Sequence, residues 1–153
     1  MKVRNIMTQP VQTCTTEMNL AAASRRMKDT GCGTLAVLRA GRLAGILTDR
    51  DLALAIGNVR EPARVTVGKV MTRRVHTCQP EDDVHAALDT MATFKVRRLP
   101  AISETGDVEG MISIDDILLW GISKSAVSLH ALVGALRSIC SASSATIQQT
   151  KEP

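Results

Sequence analysis

The chain repeats itself, and this internal duplication constrains its fold more than any other feature of the sequence. Met7 returns as Met71, and the same offset of 64 residues relates many of their neighbours. After a one-residue insertion in the second copy, the motif at 45–51 returns at 110–116. Two copies of so small a unit are expected to share one core, because neither buries its hydrophobic face alone. Pseudo-symmetry then predicts that equivalent residues lie on opposite sides of a common cleft.

Composition narrows the classes of protein and ligand. The 153 residues suit one compact domain or two closely packed halves, and 44% hydrophobic residues is ordinary for a globular protein. One Phe, one Trp and no Tyr leave little for stacking on bases, and the net charge of +4 is not gathered in a basic tract. We therefore expect no nucleic-acid partner, although a mildly basic protein suits a phosphate-bearing small ligand. No apolar stretch approaches the roughly 20 residues of a membrane span, and no secretory signal opens the chain, so we expect a cytoplasmic protein without membrane contact.

Hydrophobic periodicity predicts an α+β (α/β) fold in which each copy runs β-α-β-β-α, followed by one extra helix. The elements expected in the first copy are a strand at 11–13, a helix capped by Asn19 and ending near 30, strands at 34–38 and 43–47, and a helix opened by Thr48. The elements expected in the second copy are a strand at 75–77, a helix introduced by 80–83, strands at 98–102 and 108–112, and a helix opened by Ser113.

The corresponding domain boundaries are repeat 1 at 1–58, a linker at 59–66 and repeat 2 at 67–121. Apolar residues at helical spacing after Ser128 predict an amphipathic helix within 122–153, with a frayed polar tail from Ser141. Its apolar face needs cover from its own chain or from a second subunit, and the sequence leaves this choice open.

The most informative motif is an apolar strand followed by Thr/Ser-x-x-Asp, present as Thr48 with Asp51 and as Ser113 with Asp116. One interpretation is a helix-capping box, in which the hydroxyl and the acid satisfy backbone N–H groups. The other is a ligand site, because a helix N-terminus attracts phosphate and a carboxylate accepts hydrogen bonds from a ribose diol. The residues alone leave both interpretations open.

The cysteines and histidines predict neither a metal site nor a catalytic centre. No CxxC pair occurs among the four cysteines, and the three histidines have no ligand spacing. Cys14 and Cys78 fall at matching points of the repeat, so we expect both to be buried. A disulfide from Cys140 to either of them, within the chain or across a dimer, remains an alternative.

The two copies together resemble a tandem pair of CBS domains, known as a Bateman module, over residues from about 3 to 120. The resemblance rests on the paired openings at 3–8 and 67–72, the strand at 96–102 and the two Gly-apolar-apolar-Thr/Ser-x-x-Asp endings. It implies two ligand sites in the cleft between the copies. The implied site residues are Asp51 and Asp116 for the ribose diol, Thr48 and Ser113 as hydroxyl partners, the main chain at Thr13-Cys14 and Thr77-Cys78 for the adenine edge, and Arg97 with Arg98 for phosphates.

The function implied by this resemblance is a non-enzymatic sensor that binds AMP, ADP, ATP or S-adenosylmethionine, needs no obligatory cofactor, forms a homodimer and signals to a separate effector protein. The first copy departs from the pattern, because Gly33 and Thr34 stand where the second copy has Arg97 and Arg98. We therefore expect unequal sites. The alternative is a nucleotide-free structural or redox-responsive dimer that uses Cys14, Cys78 or Cys140.

Overall fold

A computed structural model describes residues 1–148, with side chains described as far as Ser141. The chain forms two compact units that do not follow the repeat boundaries. Unit 1 contains Met1–Gln9, His76–Ser103 and the chain from Glu109 onward. Unit 2 contains Pro10–Val75 and Glu104–Val108. The opening segment of each repeat thus belongs to the unit built on the other repeat.

Unit 2 is built on a three-stranded sheet in the order β1-β2-β3. Strand β1 pairs with β2 in parallel, and β2 pairs with β3 in antiparallel. The elements of unit 2 are β1 (Thr13–Thr15), α1 (Leu20–Thr30), β2 (Thr34–Arg39), β3 (Arg42–Thr48), α2 (Asp49–Ile56), a 3-10 turn (Pro62–Arg64) and α3 (Val67–Val70).

Unit 1 is built on the hairpin β4-β5 and two long helices. Its elements are a 3-10 turn (Val3–Asn5), α4 (Val84–Phe94), β4 (Arg98–Ile102), β5 (Val108–Ser113, which starts at the unit boundary), α5 (Ile114–Asp116), a π-helical turn (Ile117–Gly121) and α6 (Leu129–Gln148). No helix among the described residues is both long and apolar enough to cross a bilayer.

Helix α1 has the start, face and end that its sequence predicts. The Asn19 side chain caps it by accepting a hydrogen bond from the Ala22 N–H at 2.8 Å. Leu20 and Met27 are buried on its core face. Gly31 ends the helix in the left-handed conformation, with φ +65°, which glycine adopts without steric cost.

The first strand of the second copy is shorter than predicted, because a proline interrupts its pairing. In unit 2 the Ala36 N–H donates to the Gln12 carbonyl at 3.0 Å. Pro100 occupies the position equivalent to Ala36 and has no N–H to donate. The predicted strand at 75–77 therefore does not form, and a single bridge between Cys78 and Ala101 remains.

The exchanged opening segments are held by equivalent backbone pairings. Thr72 pairs with Ile46 in unit 2, and Thr8 pairs with Met111 in unit 1. The glycine that begins the Gly-apolar-apolar motif allows this close approach. A Cβ atom placed on Gly110 would lie 2.5 Å from the Met7 sulfur, so any larger residue requires the Met7 side chain to shift.

Helix α6 packs against α4 of the same unit, which answers the question that the sequence left open. Leu132 and Ile139 on α6 are buried in the core of unit 1, and the Ser138 hydroxyl donates to the Ala92 carbonyl at 3.2 Å. The helix continues to Gln148, past Ser141 where we expected fraying to begin. The remainder of that predicted tail, residues 149–153, lies outside the described residues.

The end of α4 provides a test of backbone strain. Lys95 occupies the position equivalent to Gly31 and has φ +56°, a region that costs a non-glycine residue about 1 kcal/mol. We expect Lys95→Gly to raise the free energy of unfolding by about 0.5–1 kcal/mol, measured by urea denaturation. Lys95→Ala is the matched control, since it removes the same side chain but keeps the strain. An equal effect of both substitutions would contradict this explanation.

Candidate functional site

The Thr48 turn of unit 2 is a complete capping box. The Asp51 N–H donates to the Thr48 hydroxyl oxygen at 3.1 Å, and the Thr48 N–H donates to Asp51 Oδ2 at 2.9 Å. The Thr48 hydroxyl also donates to the same Oδ2 at 2.7 Å. Within the described residues, Asp51 Oδ1 accepts no hydrogen bond, so this half-buried carboxylate keeps one acceptor for a ligand.

The Ser113 turn of unit 1 has the same geometry with one addition. Asp116 Oδ2 accepts from the Ser113 N–H at 2.8 Å and from the Ser113 hydroxyl at 2.6 Å. Its Oδ1 lies 3.4 Å from the Thr8 hydroxyl, a long and weak hydrogen bond. The capping interpretation is therefore correct for both turns. It leaves the ligand interpretation possible, because each cap occupies only one carboxylate oxygen.

A backbone hydrogen bond holds the arginine pair next to the Ser113 turn. The Ile114 N–H donates to the Arg97 carbonyl at 2.9 Å, as the Asp49 N–H donates to the Gly33 carbonyl at 3.0 Å in unit 2. The Arg97 side chain is exposed and makes no ion pair among the described residues. The structure thus brings arginine to the turn of unit 1, whereas unit 2 presents glycine and threonine there.

In unit 2, the start of β1 and the Thr48 turn lie at the same end of the sheet. Thr13 is level with Ala36 on β2, which is level with Ile46 on β3. Thr48 lies two residues beyond Ile46, toward the start of β1. Thr13, Cys14, Thr48 and Asp51 therefore share one end of this sheet.

Unit 1 contains an open pocket of about 450 Å³ next to the counterpart of β1. Both main-chain groups of Cys78 pair with β4, because its N–H donates to the Pro100 carbonyl and its carbonyl accepts from the Ile102 N–H. The main-chain N–H and carbonyl of Thr77 have no partner among residues 1–148. Thr77 consequently offers a donor and an acceptor at the sheet edge. The lining residues are Thr77, Cys78, Gln79, Asp82, Ile102 and Ser103.

The pocket includes two of the residues implied by sequence and four that sequence reasoning missed. Thr77 and Cys78 line it, whereas Arg97, Ser113 and Asp116 do not. The missed residues are Gln79, Asp82, Ile102 and Ser103. The spacing between Gln79 and Asp82 suits a turn closed by an acid, and this signal was available in the sequence.

Cys14 and Cys78 are both buried, as their matching positions in the repeat predict. Burial raises the pKa of the Cys14 thiol to about 11, and nearby Arg26 partly opposes the shift. Burial, together with the Asp82 carboxylate, raises the pKa of Cys78 to about 12. None of the four cysteines forms a disulfide bond. Protonated thiols of this kind are poor nucleophiles, which disfavours Cys14 and Cys78 as redox sensors.

No group of three or more His, Cys, Asp or Glu side chains among residues 1–148 is arranged to hold a metal ion. His76 instead stacks on Phe94, with ring centroids 3.7 Å apart.

Comparison with known proteins assigns the chain to one family. The model of the CBS domain matches the chain twice, at residues 3–58 and 67–122. The CBS domain-containing protein YhcV of Bacillus subtilis (strain 168) is 30% identical over 124 residues, which cover 81% of this chain and 88% of that protein.

Solved structures agree with this match. The crystal structure of Hypoxic Response Protein I with two coordinated zinc ions is 27% identical and has a TM-score of 0.70, covering 78% of this chain and 98% of that one. The crystal structure of the CBS domain pair of protein MJ0100, in complex with 5′-methylthioadenosine and S-adenosyl-L-methionine, is 22% identical and has a TM-score of 0.73. This match covers 81% of this chain and 98% of that one.

The raised thiol pKa values predict slow alkylation of Cys14 and Cys78. At pH 8 a thiol of pKa 11 is about 0.1% thiolate, compared with about a tenth for a cysteine with a pKa near 9. We expect iodoacetamide to label the exposed Cys140 in the folded protein and to leave Cys14 and Cys78 unlabelled until urea is added, as read by peptide mass spectrometry. Rapid labelling of either buried thiol in the folded protein would contradict this assignment.

The raised thiol pKa values also set the direction in which stability changes with pH. Because burial raises each folded thiol pKa above its unfolded value near 9, the stabilising contribution is complete below pH 9. It is lost as the pH rises through 11 to 12.

Proposed function

The chain belongs to the CBS-domain family as a tandem pair, and we propose on this premise that it is a non-enzymatic sensor of an adenosyl ligand that signals to a separate effector protein. AMP, ADP, ATP and S-adenosylmethionine are the candidate ligands. We place the sensor in the cytoplasm as part of the same proposal, because buried free thiols suit a reducing compartment.

The observation that carries this proposal is the pocket of unit 1 beside the unpaired main chain of Thr77. Its volume lies within the range of about 300–1,000 Å³ that is typical of small-molecule sites. Cys78 and Ile102 supply apolar walls for a flat ring, and the Thr77 N–H and carbonyl match the adjacent acceptor and donor on the edge of adenine. The fold shared with the MJ0100 domain pair, which holds two adenosyl compounds, also supports this ligand class.

The sugar and the phosphates are assigned to the Ser113 turn. Asp116 Oδ1 is only weakly engaged by Thr8, so a ribose hydroxyl can replace that contact. Arg98 begins β4 next to this turn and Arg97 directly precedes it. A guanidinium donates two parallel hydrogen bonds to phosphate. Unit 2 lacks both arginines, so we assign phosphate-bearing ligands to unit 1.

A signal requires the ligand to stabilise one arrangement of the chain over another. Thr8 lies on the opening segment that pairs with Met111. A ribose hydroxyl that displaces the Thr8 hydroxyl from Asp116 Oδ1 removes one contact that holds this segment. An effector protein can detect the resulting change in the segment.

Calorimetric titration with adenosine, AMP and ATP tests the assignment. The double substitution Arg97→Gly with Arg98→Thr converts the phosphate region of unit 1 into the sequence of unit 2. We expect it to weaken ATP binding at least tenfold, because each lost charge-assisted hydrogen bond contributes about 1.5–3 kcal/mol, while adenosine affinity changes little. The double substitution Arg25→Thr with Arg137→Thr, at exposed positions of α1 and α6, also removes two positive charges and is the control for net charge.

Equal losses for adenosine and ATP would show that the arginines support the fold rather than a phosphate. Binding of all three compounds that survives both Asp51→Ala and Asp116→Ala would contradict the ribose assignment. Absence of binding by any adenosyl compound, S-adenosylmethionine included, would contradict the proposed function itself.

We also propose that the protein is a homodimer. Leu54 on α2 and Leu119 on the π-helical turn are equivalent in the repeat, and they are 59% and 62% exposed. Trp120 and, on α6, Leu129 are more than half exposed as well. Large apolar side chains exposed at equivalent positions of both repeats suit self-association, because a two-fold dimer buries the same surface twice.

Sedimentation velocity tests this proposal. We expect Leu119→Lys to shift the protein toward monomer, raising the dimer dissociation constant at least tenfold, because it places a charge in an apolar contact. Ser123→Lys adds the same charge one turn later at an exposed polar position and should leave the dimer intact. A monomeric wild-type protein at micromolar concentration would refute the proposal.

A further inference from the structure

We infer that Asp82 makes the pocket of unit 1 selective for a purine base that carries an exocyclic amine over one that carries a carbonyl group at the same position. This inference rests on the proposed function and adds a specificity-determining residue to it. Asp82 is the one charged side chain that lines the pocket. A carboxylate oxygen accepts a hydrogen bond from an amine and repels a carbonyl oxygen, because both oxygens are acceptors.

The Asp82 carboxylate has one oxygen committed and one available. Its Oδ2 accepts from the Gln79 N–H at 2.8 Å, while within residues 1–148 its Oδ1 accepts no hydrogen bond. The side chain is half-buried, so water screens it only partly. An available acceptor in a partly desolvated pocket favours ligands that bring an N–H group to it.

The turn that carries Asp82 is fixed by the chain around it. The Asp82 N–H donates to the Gln79 carbonyl at 3.1 Å, and the Asp82 carbonyl accepts from the Val3 N–H at 2.9 Å. Next to it, Glu81 forms an ion pair with Arg4 at 2.7 Å. The carboxylate is therefore held in position before a ligand arrives, which reduces the entropy cost of using it.

The repeat shows that this turn does not need the carboxylate. In unit 2 the equivalent residue is Met18, and its N–H donates to the Thr15 carbonyl at 3.2 Å, as Asp82 does to Gln79. The Val67 N–H donates to the Met18 carbonyl at 2.7 Å, as Val3 does to Asp82. The same turn thus forms around an apolar side chain. In unit 1 the acid also closes the turn through the Gln79 N–H, but that contact uses only Oδ2. Recognition of a ligand gives the remaining oxygen a role.

AMP and IMP are the matched probes, because they share ribose and phosphate and differ only on one edge of the base. AMP carries an amine at C6 beside an unprotonated N1, whereas IMP carries a carbonyl group at C6 beside a protonated N1. Titration of isotope-labelled protein, followed at the amide resonances of Thr77, Gln79 and Ser103, reports on this pocket alone. We expect wild-type protein to prefer AMP at least tenfold. In Asp82→Asn the amide oxygen still accepts from the Gln79 N–H and the amide nitrogen becomes a donor, so the preference should fall at least tenfold and move toward IMP.

Asp89→Asn, on the exposed face of α4, removes the same charge outside the pocket and should keep the preference for AMP. Asp82→Ser is the second variant should the asparagine protein fail to fold, since its hydroxyl also accepts from the Gln79 N–H while the carboxylate is gone. An unchanged AMP-to-IMP ratio in the folded variants would overturn the inference and leave the sensor proposal standing. No response of these amides to either nucleotide or to S-adenosylmethionine would overturn both.

Discussion

The structure depends on the exchange of opening segments between the two repeats. The segment that begins at Val3 pairs through Thr8 with Met111, and the segment that begins at Val67 pairs through Thr72 with Ile46. A short segment of this kind has too few internal hydrogen bonds to fold alone, so its stability comes from the unit that receives it. Neither repeat therefore makes a complete unit from its own residues.

The exchanged opening segment of unit 1 also contacts the two turns to which the proposal assigns ligand binding. The Val3 and Arg4 N–H groups hold the turn at Pro80 and Asp82, which borders the pocket. Five residues later, Thr8 reaches Asp116 on the Ser113 turn. One short segment thus contacts both the turn that borders the base pocket and the turn assigned to the ribose. In the proposed function, this segment is the element that would respond to a ligand bound at both turns.

The differences between the units arise from a few substitutions within a shared backbone plan. Pro100 in place of Ala36 removes one donor and shortens the first strand of unit 1 to a single bridge. Asp82 in place of Met18 puts an acid at the pocket of unit 1, and Arg97 in place of Gly33 puts a cation beside the Ser113 turn. Opposite charges at separate places suit a ligand with an amine-bearing base at one end and phosphate at the other. The turns at Thr48 and Ser113 have the same hydrogen bonds in both units, so the proposed difference in ligand preference rests on these substitutions.

Sequence alone determined what is local or periodic. The span of α1, its Asn19 cap and the equivalent burial of Cys14 and Cys78 follow from capping chemistry, spacing and the repeat. Both Thr/Ser-x-x-Asp turns were also evident, although the residues could not decide between a cap and a ligand site, because both use the same atoms. The structure shows a cap at both turns, formed through one carboxylate oxygen of each acid, and the ligand site stays a proposal.

Tertiary structure decided everything that depends on contacts distant in sequence. A repeat reports which residues are equivalent but not which copy receives an opening segment, since either arrangement satisfies the same local pattern. The pocket at Thr77 and Asp82 was hidden for the same reason, because its walls come from a turn and a strand separated along the chain. The loss of strand pairing at Pro100 could have been read from the sequence, but only once the parallel register fixed which N–H was missing. Local propensity and spacing specify elements, whereas the register between distant strands specifies the site.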